Sequence, residues 1–359
     1  MNAPMSGPTS GPISGSMSGA MSGEMTAAAI GQFGPPSVLR LQRLPCPAPK
    51  AGEILVRVQA AAVHPIDARR RGGYARRLFA LMGAARMPLV LGNGFAGTVV
   101  AVGRGVTSLR VGDAVFGAKP PSSSGTHASH VVVRAEHALR QPAGMDAMAL
   151  AALPYNFLTA ARAITDAGIT AQSLQGRAVL VYGASGGLGL LAIWLLHSMG
   201  AQVTAVAGGA GLDDCRAAGA TTVVDRHRQP LHALPRHFAA TLNFANWDDE
   251  AALLHLLAPD ALGHATTVHP MLGNIDRHGL LGGALATLRQ RRRMRAQVPK
   301  GARYAWTVFR PEPALFALLA QCAHRLPAPA CTGYPLSAAA QAHRHVEQRL
   351  PGRAVLLPA

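Results

Sequence analysis

The residues best placed to do chemistry are the glycines of Val179-Leu180-Val181-Tyr182-Gly183-Ala184-Ser185-Gly186-Gly187-Leu188-Gly189, spaced G-x-x-G-x-x-G. A short apolar run precedes them, and a helical run from Leu188 to His197 follows before Gly200. Such a turn brings bare backbone close to a pyrophosphate and opens a helix whose free N–H groups favour an anion. The spacing departs from the commoner G-x-G-x-x-G, so context carries the reading. The turn leaves a strand, starts a helix and is backed by a second strand from Gln202 to Ala207. A dinucleotide is expected, with Gly183, Ser185, Gly186, Gly187, Leu188 and Gly189 around its phosphates.

The second strand bears on which dinucleotide. NAD sites commonly end this strand with Asp or Glu, which accepts hydrogen bonds from the ribose hydroxyls. Here it reads Ala205-Val206-Ala207-Gly208-Gly209-Ala210, without a carboxylate. A bare Gly208 leaves room for a 2′-phosphate, and Arg226 and Arg228 are candidate counter-charges. The competing reading of the two arginines is a solvated loop in a very basic protein. NADPH is favoured over NADH.

Positioning that turn requires a larger frame. The chain has 359 residues and a mass of 37.2 kDa, enough for two domains of about 150 residues. From Ala27 to about Leu139, short strands alternate with Gly and Pro, the texture of a β-barrel or sandwich. From Met145 onward, Ala- and Leu-rich helices alternate with apolar strands such as Val179–Tyr182, Thr241–Phe244 and Thr266–His269. That alternation implies α/β architecture with a parallel sheet, and the boundary is expected near Leu153-Pro154. The stretch from Ala178 to Leu212 carries no Asp, Glu, Lys or Arg and is long enough to span a bilayer. Its glycine cluster divides it into strand, turn, helix and strand, so a soluble βαβ unit is expected and no transmembrane segment.

Composition excludes other classes. Four scattered cysteines without a C-x-x-C cannot make a disulfide scaffold or a four-Cys zinc knuckle. The first 25 residues repeat Met-Ser-Gly and read as a disordered tail. No Lys or Arg precedes Arg40, which is unlike a secretory or transit peptide, so a cytoplasmic location is expected. A formal charge of +17 permits an anionic partner.

The whole pattern resembles the zinc-free quinone-oxidoreductase branch of the medium-chain dehydrogenase/reductase superfamily. The resemblance rests on ordered short blocks: Ala61-Ala62-Val63-His64-Pro65-Ile66-Asp67, Leu91 to Gly97, Val102-Gly103, Val111-Gly112-Asp113, Gly125-Thr126-His127-Ala128 and Ala152-Leu153-Pro154-Tyr155-Asn156-Phe157-Leu158-Thr159-Ala160. The Gly183 turn comes next, and Tyr334-Pro335-Leu336 and Gly352-Arg353-Ala354-Val355 close the match. Arg71-Gly72-Gly73-Tyr74 and Gly301 to Trp306 look most like the reticulon-4-interacting-protein group within that branch.

The resemblance implies a GroES-like barrel over 26–153, a Rossmann domain over 154–323 and a return to the barrel over 324–359, after a tail at 1–25. It places the active site in the cleft between domains. It implies Tyr74 as a proton donor, His64 where the branch usually has Asn, and Asn156 as a carbonyl-orienting group. Thr159, Phe244, Val268 and Tyr304 are implied beside the cofactor. Zinc-using sister families need a G-H-E block, where this chain reads Leu91-Gly92-Asn93-Gly94. With His127, His130, His343 and His345 read as surface histidines, no metal is expected.

Without a Lewis acid, the natural reaction is hydride transfer from NADPH to a quinone or an α,β-unsaturated carbonyl. The alternative is a non-catalytic relative that binds NADPH, and RNA or an anionic surface, through arginine patches at Arg69–Arg71, Arg76-Arg77 and Arg289–Arg310. Few aromatics interleave those arginines, so nucleic acid is disfavoured. Arg303 to Phe309 reads as an edge strand, and the resemblance implies a homodimer paired through it.

Overall fold

The structure, a computed structural model, describes residues 23–358. The expected tail lies outside the described residues except for its last positions, and of these Glu24 and Met25 belong to the first strand. The first half contains β1 (Glu24–Ile30), β2 (Leu39–Pro45), β3 (Glu53–Ala62), β4 (Leu89–Val90), β5 (Gly94–Val102), β6 (Ala114–Ala118), β7 (His130–Arg134) and β8 (Ala138–Arg140). β3 is the spine: β5 pairs along one edge and β7 along the other. In β3, Ile54, Val56 and Val58 turn inward while Arg57 and Gln59 face solvent, the alternation of a half-buried strand.

The second half contains β9 (Ala178–Tyr182), β10 (Gln202–Ala207), β11 (Thr222–Asp225), β12 (Ala240–Asn243), β13 (Gly263–Thr266) and β14 (Arg303–Trp306). They form one parallel sheet in the order β11-β10-β9-β12-β13-β14, the doubly wound order that reverses beside its first strand. The charge-free stretch resolves into β9, the Gly187–Ser198 helix and β10, as expected. Two strands are displaced from their expected positions. β13 runs Gly263–Thr266 with His264 buried in it, and β14 ends at Trp306, although Thr307 N still donates to Thr266 O at 2.8 Å and its hydroxyl donates to Asp166 at 2.9 Å.

The chain returns to the barrel with β15 (Cys331–Pro335) and β16 (Arg353–Leu357), and β16 pairs antiparallel with β3 at Ala61 and Ala62. The Ala147–Asp166 helix joins the halves. Asp146 caps it, accepting from Met148 N at 3.1 Å and Ala149 N at 3.2 Å. The expected boundary at Leu153-Pro154 therefore falls inside one continuous helix shared by both halves. This helix alone, among the described residues, is long and apolar enough to cross a membrane, and 78% of its apolar window is buried in the protein core.

Candidate active site

The glycine turn leaves β9 as the spacing requires. Gly183 takes φ +79°, and its N–H and that of Ala184 both donate to the Val206 carbonyl at 3.1 Å. A Cβ on Gly183 would stand 3.0 Å from Ala245 N, so the chain at Phe244-Ala245 presses directly on the turn. The helix starting at Gly187 has no side-chain cap, which leaves its first N–H groups open to an anion. A Cβ on Gly187 would lie 2.7 Å from Asn156 Nδ2 and 3.3 Å from Arg353 Cζ. Asn156 and Arg353 thus close over the turn from outside the parallel sheet. Arg353 is half-buried, burial lowers its pKa, and its guanidinium has no hydrogen-bond partner among the described residues. No local signal marks it as a site residue, because only the β16–β3 pairing brings position 353 here.

The carboxyl end of β10 has one surprise. Ser185 lies against Gly211, which sets Gly208–Gly211 beside the turn. A Cβ on Gly208 would be 3.5 Å from His227 Nε2, and one on Gly209 would be 3.2 Å from Asp225 Oδ2. β10 lacks a terminal carboxylate, yet β11 delivers one to the same place. Arg226 and His227 line a cavity of about 380 Å³ with Tyr182 and Asp249, whose side chains are hydrogen-bonded to each other.

On the barrel side, His64 lies two residues past the end of β3 and is the N-cap of the Pro65–Arg71 helix. Its N–H donates to Asp67 Oδ2 at 2.8 Å, and Asp67 Oδ1 accepts from Gly92 N at 3.1 Å. Burial works to raise the Asp67 pKa, but hydrogen bonding to His64 and the charge of His127 outweigh it and hold the carboxyl well below the usual carboxylate range. The His64 imidazole is buried, and neither ring nitrogen has a hydrogen-bond partner; Nδ1 stands 3.7 Å from Asp67 Oδ2.

Tyr155 packs between His64 and Phe309, with a ring centroid 4.5 Å from each. Burial, reinforced by the Asp67 charge, pushes the phenol far above its ordinary pKa, so it stays protonated. On the next position, Asn156 donates to Ala152 O at 3.2 Å and faces Gly187. Thr159 donates back to Tyr155 O at 2.7 Å, which fixes the helix turn carrying both. The sequence gives Tyr155 no role beyond its place in the Ala152–Ala160 block and puts Phe309 at the end of an expected strand. Their apposition is tertiary, and no local signal announces it.

Other expected residues lie elsewhere. The Tyr74 ring packs with Ala75, Phe79, Ala84 and Leu272, under the Arg69 guanidinium at 5.8 Å. Tyr304 sits within β14, donating to Glu250 Oε1 at 3.0 Å and accepting from Trp306 Nε1 at 2.8 Å. Phe244 and Val268 do follow the carboxyl ends of β12 and β13, where a Rossmann ligand binds. His127 and His343 are not surface residues. Both are fully buried in edge-to-face contact at 5.6 Å, and buried His345 bonds Tyr334 at 2.9 Å. Of the expected basic patch at Arg69–Arg71, Arg70 and Arg71 are buried: Arg70 donates to Ala84 O at 2.8 Å, and Arg71 pairs with Glu347 at 2.5 Å.

The alcohol dehydrogenase GroES-like domain family matches residues 50–143. The chain is 32% identical to the human mitochondrial NAD(P)H oxidoreductase RTN4IP1 over 277 residues, covering 72% of this chain and 68% of that protein. It is 33% identical to a quinone oxidoreductase of Lama guanicoe over 184 residues, 51% of this chain and 52% of the relative. The solved quinone oxidoreductase from Coxiella burnetii superposes with a TM-score of 0.77 at 23% identity, over 94% of this chain and all of that one (100%). Relatives of the first kind from worm, mouse, human and zebrafish are named as mitochondrial, which overturns the cytoplasmic expectation. That expectation rested on the composition of residues 1–39, of which 1–22 lie outside the described residues.

Proposed function

This chain belongs to the medium-chain NAD(P)H oxidoreductases of the reticulon-4-interacting-protein and quinone-oxidoreductase type, and from that premise we propose an NADPH-dependent reductase of quinones or α,β-unsaturated carbonyls that needs no metal. The observation that carries the reading is the His64–Tyr155–Phe309 stack, a protonated phenol held in the cleft one residue before the amide that faces the glycine turn.

A bound nicotinamide would supply the hydride. The bare backbone at Gly186–Gly189 fits its pyrophosphate, because any side chain at Gly187 would collide with Asn156. Arg353 adds a positive charge to that cradle. Arg226 and His227 support a 2′-phosphate, with Asp225 as the opposing group. Tyr155 donates its hydroxyl hydrogen bond to the acceptor oxygen as negative charge develops there, and passes the proton on. His64, with both ring nitrogens unclaimed, lies beside the phenol to hydrogen-bond the acceptor or restore the proton, and ionised Asp67 fixes its backbone. β14 ends the parallel sheet, and that edge supports pairing with a second copy.

Loss of NADPH absorbance with a panel of quinones, enones and enoyl thioesters tests the reading. Turnover of at least one class is expected. Tight cofactor binding without turnover of any would overturn it in favour of a non-catalytic relative.

A further inference from the structure

The Met271–Arg295 helix is two helices joined at Gly279, which takes φ +71°. In the second, Leu281, Leu285 and Leu288 recur at helical spacing on the outer face and are exposed by 88%, 48% and 52%. Arg292 continues that stripe, and Arg291 and Arg295 flank it. These three arginines and Leu288 line a cavity of about 240 Å³ that opens beside Tyr304. The neighbouring Arg76–Leu81 helix is docked on the segment just before Gly279: Ala75 N donates to Asp276 Oδ2 at 2.5 Å, and Arg77 Nη1 stands 3.4 Å from a Cβ built on Gly279. It adds two more exposed apolar side chains, Leu81 at 67% and Met82 at 65%.

Large aliphatic side chains at such exposure, followed by an arginine-lined hollow, are not what a solvated face requires. The chemistry narrows the occupant. A second copy meeting this face about a two-fold axis would set like arginines against one another. Nucleic acid would find arginines and leucines but no exposed aromatic platform for bases, since Tyr304 beside the hollow is buried. We propose that this face docks on an anionic lipid bilayer, the leucines entering the interface and Arg291, Arg292 and Arg295 gripping phosphate headgroups. The proposal is independent of the acceptor assigned above.

Vesicle flotation of the full chain tests it. Vesicles of phosphatidylcholine with phosphatidylglycerol should carry the protein at low ionic strength, and pure phosphatidylcholine should not. Replacing Arg291, Arg292 and Arg295 by Gln should weaken binding about a hundredfold, near the effect of three basic residues at a charged surface. Replacing Leu281, Leu285 and Leu288 by Ser should weaken it at least about tenfold. NADPH binding should be unchanged in both, which shows that each variant is folded. Absence of flotation with anionic vesicles, or flotation indifferent to both variants, would overturn the proposal. So would a halving of particle mass by the Leu variant, which would make the face a self-interface, or capture of acidic peptide or RNA in preference to vesicles.

Discussion

Tyr155, on the helix that joins the two halves, and His64, just past β3 of the barrel, meet ring to ring at 4.5 Å, with Phe309 backing the phenol on its other side. The contact requires the Ala147–Asp166 helix to lie against the barrel and the parallel sheet at once. Tyr74, by contrast, packs in a separate cluster with Ala75, Phe79, Ala84 and Leu272, and the proposed function uses the Tyr155 phenol.

Tyr155→Phe keeps the stack and removes the donor. It should lower kcat about a hundredfold, within the range for a positioned acid, while leaving the cofactor Kd unchanged. Tyr74→Phe should change kcat less than about twofold, since that ring is held in a separate cluster. Steady-state kinetics beside a fluorescence titration decides between them, and an inert Tyr155→Phe would remove the phenol from the mechanism.

Arg353→Gln should weaken NADPH and NADH alike, by about tenfold to a hundredfold, as loss of a charge-assisted hydrogen bond to a shared phosphate would. Titration of both cofactors measures it. Weakening of NADPH alone would relocate Arg353 to the ribose phosphate.

The ribose end predicts the opposite pattern. Arg226→Ala should weaken NADPH about tenfold or more and spare NADH. Asp225→Asn should tighten NADPH, because it removes the carboxylate beside Gly209. Wild-type preference for NADH, unchanged by Asp225→Asn, would refute the assignment of the 2′-phosphate pocket.

Burial, aided by the charge of His127, depresses the His343 pKa to about 3. The unfolded chain protonates this group near its ordinary value of about 6.5, so between those values the unfolded state holds more protons. Its contribution to stability is present above the unfolded pKa and is lost as pH falls toward the folded one. Tm should drop by about 3 °C between pH 7 and pH 5 from this group, and His343→Phe should flatten that slope. Thermal melts across that window check both, and an equally steep slope in the variant would exclude His343 as the cause.

Added zinc or a strong chelator should leave turnover unchanged. Asn93 donates through Nδ2 to Lys119 O at 2.9 Å, a Cβ on Gly94 would stand 2.4 Å from Ala151 O, and among the described residues no three His, Cys, Asp or Glu side chains gather as a metal-binding group. Metal analysis that found one tightly held zinc per chain would contradict this.

What could be read from sequence was local. The glycine turn, its flanking strands and the Gly- and Pro-punctuated barrel announce themselves within a few dozen residues. Asp225, Arg353 and Phe309 did not, because each reaches the site through strand pairing between distant segments. Tyr304 was misplaced for a related reason: proximity to the end of β14 does not say that its hydroxyl is engaged by Glu250 inside the sheet's flank. His127 and His343, in separate segments, carry no burial signal in the sequence until β3 and the Ala339–Glu347 helix close around them.

The pairing of β16 with β3 also governs the order in which the molecule can be made. β3 emerges from the ribosome early and acquires β5 and β7 soon after, but its remaining edge is filled by a strand translated only after the entire parallel sheet. Such a long-range contact slows folding and leaves an open strand edge in the growing chain. A nascent chain therefore holds a folded dinucleotide fold beside an unfinished barrel, without Arg353 at the turn. The complete cradle around Gly187 forms only once β16 has joined β3, after the parallel sheet it serves.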